Sequence, residues 1–98
     1  MASQTFRQSD TLAASGASTP IVISSGWLQT NGTWTGSFNL QTGPNDDGTW
    51  SNFTDASGNV ITFTGNANCP LNNGIAMNMR VNWTRTTGTI TINVTGNR

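Results

Sequence analysis

The chain has no lysine, glutamate, histidine or tyrosine, and its charge rests on four arginines and four aspartates that cancel. Each absence closes a class of function. Without histidine or glutamate, and with Cys69 as the single cysteine, there is no Cys–His pair, no Ser–His–Asp arrangement and no zinc cluster. An aspartate dyad drawn from Asp10, Asp46, Asp47 and Asp55 is the remaining formal route to acid–base chemistry. Asp46, Asp47 and Asp55 lie close to Gly48 or Gly58, where a short carboxylate bonds its own backbone and builds a turn. The Asn45-Asp46-Asp47 run lacks the alternating ligand spacing and the closing acidic residue of a calcium loop. The expectation is no catalytic residue, no cofactor and no metal. One cysteine cannot form an internal disulfide and reads as a partly buried thiol. Arg7, Arg80, Arg85 and Arg98 are scattered and cannot make the dense basic field that nucleic-acid binding needs. No apolar run approaches the roughly 18–20 residues of a membrane-spanning helix, so no membrane partner is expected. Met1–Asp10 also lacks the basic and apolar segments of a secretory signal, which implies synthesis in the cytoplasm.

What fills the chain instead is 17 Thr, 13 Asn, 11 Gly and 9 Ser among 98 residues. Charged residues make up 8%, against about a quarter in an ordinary domain, so solubility rests on hydroxyls and amides. At this length one compact unit is expected, too small for a deep enclosed catalytic cavity. Asn31, Asn52, Asn82 and Asn93 each match the Asn-x-Ser/Thr pattern, which in so Asn- and Thr-rich a chain reflects composition.

Thr, Asn, Ser and Gly are poor helix formers, and the apolar positions recur every second residue, so the fold is expected to be all-β. Ile75, Met77, Met79, Val81 and Trp83 alternate with Ala76, Asn78, Arg80 and Asn82. Beyond Thr86-Thr87-Gly88, Ile90, Ile92 and Val94 alternate with polar residues, and the two strands are expected to pair as a hairpin. Trp34, Gly36, Phe38 and Leu40 share one phase, then a loop over residues 42–48 leads to a short strand at Trp50–Thr54 and another at Val60–Thr64. Gly65–Gly74 reads as an irregular loop. Upstream, Phe6–Leu12 and Pro20–Ile23 read as strands, with the small-residue stretch Ala13–Thr19 as a surface link. Six to eight short strands predict a small antiparallel β-sandwich, with a small β-barrel as the alternative. Residues 1–19 form an N-terminal arm or first edge strand, and residues 20–98 a single sandwich domain.

Trp34 and Trp83 fall in apolar phase and belong to the core. Trp27, after Ser24-Ser25-Gly26, and Trp50, after an acidic turn, are the two candidates for a sugar-stacking platform beside Asn, Gln and Asp. Arg80 projects from the polar face of its strand and is a candidate for pairing with a neighbouring subunit.

The stretch Gly32-Thr33-Trp34-Thr35-Gly36-Ser37-Phe38-Asn39-Leu40-Gln41, followed by Asp47-Gly48-Thr49-Trp50, resembles small β-sandwich accessory proteins of tailed bacteriophages. Met79-Arg80-Val81 and Gly88-Thr89-Ile90-Thr91-Ile92 match the closing strands of the same pattern, so the likeness spans Gly32 to Val94. Asp47-Gly48-Thr49-Trp50 lacks one residue common between the Gly and Thr of that turn. The resemblance implies a non-enzymatic virion structural protein, made in the host cytoplasm, most simply a capsid decoration protein on the outer shell. Its implied partners are the major capsid protein or another virion protein, and further copies of itself, as a homo-oligomer of which a trimer is the simplest form. Phe6, Leu12 and Arg80 are the candidate assembly contacts. An arm from Ala2 to Thr19 would order against neighbours, so deletion of residues 2–12 is expected to abolish attachment and leave the β domain folded. The alternatives are a lectin-like module using Trp27 or Trp50, or a neck or tail-fibre adhesion component.

Overall fold

Alternation of apolar and polar residues governs the main strands of the computed structural model, which describes residues 5–97. They are β1 (Thr5–Leu12), β2 (Gly16–Ala17), β3 (Ile21–Asn31), β4 (Trp34–Thr42), β5 (Ser51–Asn52), β6 (Thr62–Phe63), β7 (Asn68–Gly88) and β8 (Ile90–Asn97), with no helix among the described residues. All pairings are antiparallel within one sheet of order β1-β8-β3-β7-β4-β5, and β2 also pairs with β7 and β6 with β4.

This single sheet makes a sandwich because β3 and β7 bend together. Ile21–Ile23 pair with Met77–Met79, but Ser25 already faces Asn72, so residues 73–76 of β7 bulge out opposite Ser24. Before the bend, Ile23 points inward; after it, Leu28 and Thr30 do, a change of phase that a bulge produces. One layer therefore contains β1, β8, the later half of β3 and Asn68–Asn72 of β7. The other contains β2, Ile21–Ile23, the rest of β7, β4 and the short strands β5 and β6. The core between them is Ile23, Leu28, Phe38, Leu40, Leu71, Met79, Val81, Trp83, Ile90, Ile92 and Val94. Trp34 packs edge-on against Trp83, with ring centroids 6.1 Å apart, and Phe63 stacks on Phe38 at 4.8 Å. The architecture is the expected small antiparallel β-sandwich; the strand path ends at β1 and β5 and does not close into a barrel.

Three local expectations are corrected. Strands β7 and β8 are consecutive but do not pair: β7 bonds to β2, β3 and β4, and β8 to β1 and β3. Gly88 and Thr89 carry the chain from one layer to the other, and Gly32 and Thr33 do the same between β3 and β4. The two crossings touch, with the Thr89 N–H donating to the Thr33 carbonyl at 3.2 Å. A Cβ on Gly88 would lie 2.1 Å from the Thr33 oxygen, and both Gly88 and Gly32 have positive φ, so the contact needs glycine twice. Second, Asn68–Asn72 is strand and not loop. Pro70 is tolerated because this part of β7 is the outer strand of its layer, where a missing N–H costs no ladder bond. Third, the small-residue link contains β2, and buried Ser18 extends its pairing: Ser18 N–H donates to the Val81 carbonyl at 2.9 Å, and the Val81 N–H donates to Ser18 Oγ at 2.8 Å.

Thr5–Leu12 runs along β8 as the edge strand of its layer, with Leu12 packed against the core. Residues 1–4 and 98, which include part of the proposed arm, lie outside the described residues. No helix of the described chain is long and apolar enough to cross a membrane.

Candidate functional site

The two outer faces of the sandwich use the same residue types in opposite ways. On the face formed by β4, β5 and β7, polar side chains bond one another. Asn39 Nδ2 and Gln41 Nε2 both donate to Asn52 Oδ1, at 2.7 and 3.0 Å. Arg80 Nε donates to Gln41 Oε1 at 2.9 Å, and its guanidinium lies 4.2 Å from the centre of the Trp50 ring. That ring face is covered by a cation, so Trp50 has a partner within its own chain. Arg80, singled out as an assembly contact, is likewise engaged internally.

On the outer face of β1, β8 and β3 the Thr11 and Thr91 hydroxyls bond at 3.3 Å, and the part beside Trp27 is open. Alternation that buries Leu28, Ile92 and Val94 turns Trp27, Gln29, Asn93 and Thr95 outward. Register then sets them in rows: Trp27 lies opposite Thr95, which lies opposite Arg7, and Gln29 lies opposite Asn93, which lies opposite Ser9. Arg7, Gln29, Asn93 and Thr95 line an open depression of about 350 Å³. Trp27 is 46% exposed. Its indole N–H donates to Asn68 Oδ1 on the neighbouring strand, where Pro70 is its cross-strand partner. The indole is thus held in orientation by its edge.

The other sequence candidates are dispersed. Phe6 is half-buried on β1 and Leu12 is against the core at the far end of the same strand, so neither meets Arg80 across the sandwich. Asp47 and Asp55 do turn chemistry: Asp47 accepts from the Thr49 hydroxyl at 2.6 Å and its N–H at 3.0 Å, and Asp55 accepts from the N–H groups of Ser57 and Asn59. The Thr49 hydroxyl, then its N–H, holds the Asp47 carboxyl below the usual aspartate range. Asp10 accepts from the N–H and hydroxyl of Thr19, fastening the end of the β2 segment. Cys69 is half-buried and free, and burial pushes its thiol pKa up. Among the described residues no three His, Cys, Asp or Glu side chains gather as metal ligands. The sequence singled out Trp27 and did not single out Arg7, Gln29, Asn93 or Thr95, its neighbours on this face. Phase alone put Gln29 beside Trp27, whereas the register that brings β1 and β8 to them has no local signal.

Comparison with protein-family models, with curated proteins and with solved structures finds no match.

Proposed function

We propose that the chain is a non-enzymatic virion structural protein, a capsid decoration protein that binds the outer shell in many copies and stabilises it. The observation that carries this reading is how the segments resembling phage accessory proteins sit in the fold. Trp34–Thr42 of β4 pairs along its length with Met79–Gly88 of β7, with Leu40 opposite Val81 and Gln41 opposite Arg80. Trp50 of the following turn lies under that same Arg80. These segments make one continuous side of the sandwich, and the last resembling segment, Gly88–Ile92, crosses from it into β8 of the other layer. A surface satisfied by amides and hydroxyls, with little charge to repel neighbouring copies, suits dense placement on a shell.

The test is quantitative protein composition of gradient-purified particles from the source lysate. A fixed ratio to the main shell protein, with many copies per particle, supports shell decoration. A dozen copies or fewer overturns decoration in favour of a vertex, neck or tail position, and absence from intact particles overturns the virion reading.

A further inference from the structure

We propose that the outer face of β1, β8 and β3 is a carbohydrate-binding site that stacks a pyranose ring on Trp27 and reads its hydroxyls with Arg7, Gln29, Asn93 and Thr95. The inference goes beyond the shell role and does not depend on it, since it concerns a face of the isolated chain.

Four observations carry it. First, the polar residues lining the depression have no side-chain hydrogen bond within the described residues, whereas Asn39, Gln41, Asn52 and Arg80 on the opposite face are bonded to one another. Second, Trp27 lies on the same face beside the depression, cross-strand from Thr95, 46% exposed and with its N–H already tied to Asn68, so the indole is fixed before any ligand arrives. Pre-ordering removes part of the entropy cost that a mobile platform would incur on binding. Third, the chemistry is that of a sugar. A pyranose offers an apolar C–H face and a rim of hydroxyls that both donate and accept. Amides and a threonine hydroxyl match both senses, and Arg7 supplies a multidentate donor for a hydroxyl or a sugar carboxylate. Fourth, the depression holds about 350 Å³, at the small end of the roughly 300–1,000 Å³ range of ligand sites. That volume suits one or two sugar units. Trp50, the other candidate platform, already has one ring face covered by Arg80.

The experiment screens the purified full chain on an array of neutral and uronate-containing pyranose oligosaccharides, then titrates the best binder by calorimetry. Saturable binding is expected, weakened at least about tenfold by Trp27→Ala, equivalent to about 1.4 kcal/mol. Gln29→Ala should weaken it severalfold, and Trp50→Ala should leave it unchanged. Circular dichroism melts of each variant separate loss of the site from loss of the fold, and Trp27→Phe, which keeps an aromatic plane, should retain part of the affinity. Failure of every glycan to bind, or binding that survives Trp27→Ala, overturns the proposal. Neither result bears on the particle composition that tests the virion reading.

Discussion

Trp83 shows how a single residue balances two opposing terms. It is among the largest fully buried side chains, 1% exposed, and it anchors the core against Trp34. Its indole N–H is the buried side-chain polar atom that has no hydrogen-bond partner among the described residues, while Trp34 donates to Asn66 Oδ1 at 2.8 Å. Leaving a buried donor unpaired costs about 1–3 kcal/mol, whereas truncating a large core aromatic costs about 3–5 kcal/mol. The two terms predict different outcomes for two substitutions. Trp83→Ala should lose about 3–5 kcal/mol in urea unfolding. Trp83→Phe should lose much less, because the small cavity it leaves is offset by removal of the unpaired N–H. Both variants remove the N–H and differ in the cavity they leave, so equal losses would mean that cavity size does not set the cost.

At the level of elements, the touching crossings between β3 and β4 and between β7 and β8 hold the two layers in register. Gly88 needs its freedom for two separable reasons, a φ of +88° and a Cβ position 2.1 Å from the Thr33 oxygen. Gly48 has a similar φ of +87° with open space around it. Gly48→Ala should therefore cost about 1–2 kcal/mol from backbone conformation alone, and Gly88→Ala a further 1–3 kcal/mol or so from overlap with a backbone that must move. Thermal unfolding of the two variants checks the difference, and identical midpoints would remove the close approach from the account. These crossings also mark where the sequence stops being readable. Strand phase was legible: the alternation in Met77–Trp83 and Ile90–Val94 identifies the core residues from Met79 onward. Ile75 broke that rhythm, at 68% exposed, because the bulge over residues 73–76 interrupts β7. The pairing of β7 with β8 was misread because Gly88-Thr89 reads equally as a hairpin turn or a crossing. Only contacts distant in sequence, such as that of Gly88 with Thr33, decide between them. Of the candidate outer face only Trp27 was named from the sequence; Gln29 and the neighbours from β1 and β8 were not.

For the whole molecule, the deciding question is whether the first strand is an appendage or part of the fold. Thr5–Leu12 pairs with β8 from Thr5 opposite Asn97 to Leu12 opposite Ile90, and Leu12 packs against the core. β8 contributes Ile90, Ile92 and Val94 to that core, so removing β1 turns a central, apolar strand into an exposed edge. Full burial of one large apolar side chain is worth about 1.5–3 kcal/mol, and Phe6 and Leu12 are each only half-buried. Their loss together should cost about 2–4 kcal/mol before the ladder bonds are considered. In a domain of this size that lowers the melting midpoint by at least about 10 °C. Deletion of residues 2–12 is therefore expected to produce a less stable chain that also associates through β8, visible as an earlier elution in size-exclusion chromatography. Loss of particle attachment by that truncation would then follow from a damaged sandwich as readily as from a missing contact. Point substitution of outward-facing Arg7 or Thr11, which leaves the strand paired, is the cleaner probe of attachment. An unchanged melt and a monomeric elution of the truncated chain would instead make Thr5–Leu12 a detachable arm, and the sandwich would have to be redrawn with β8 at its edge.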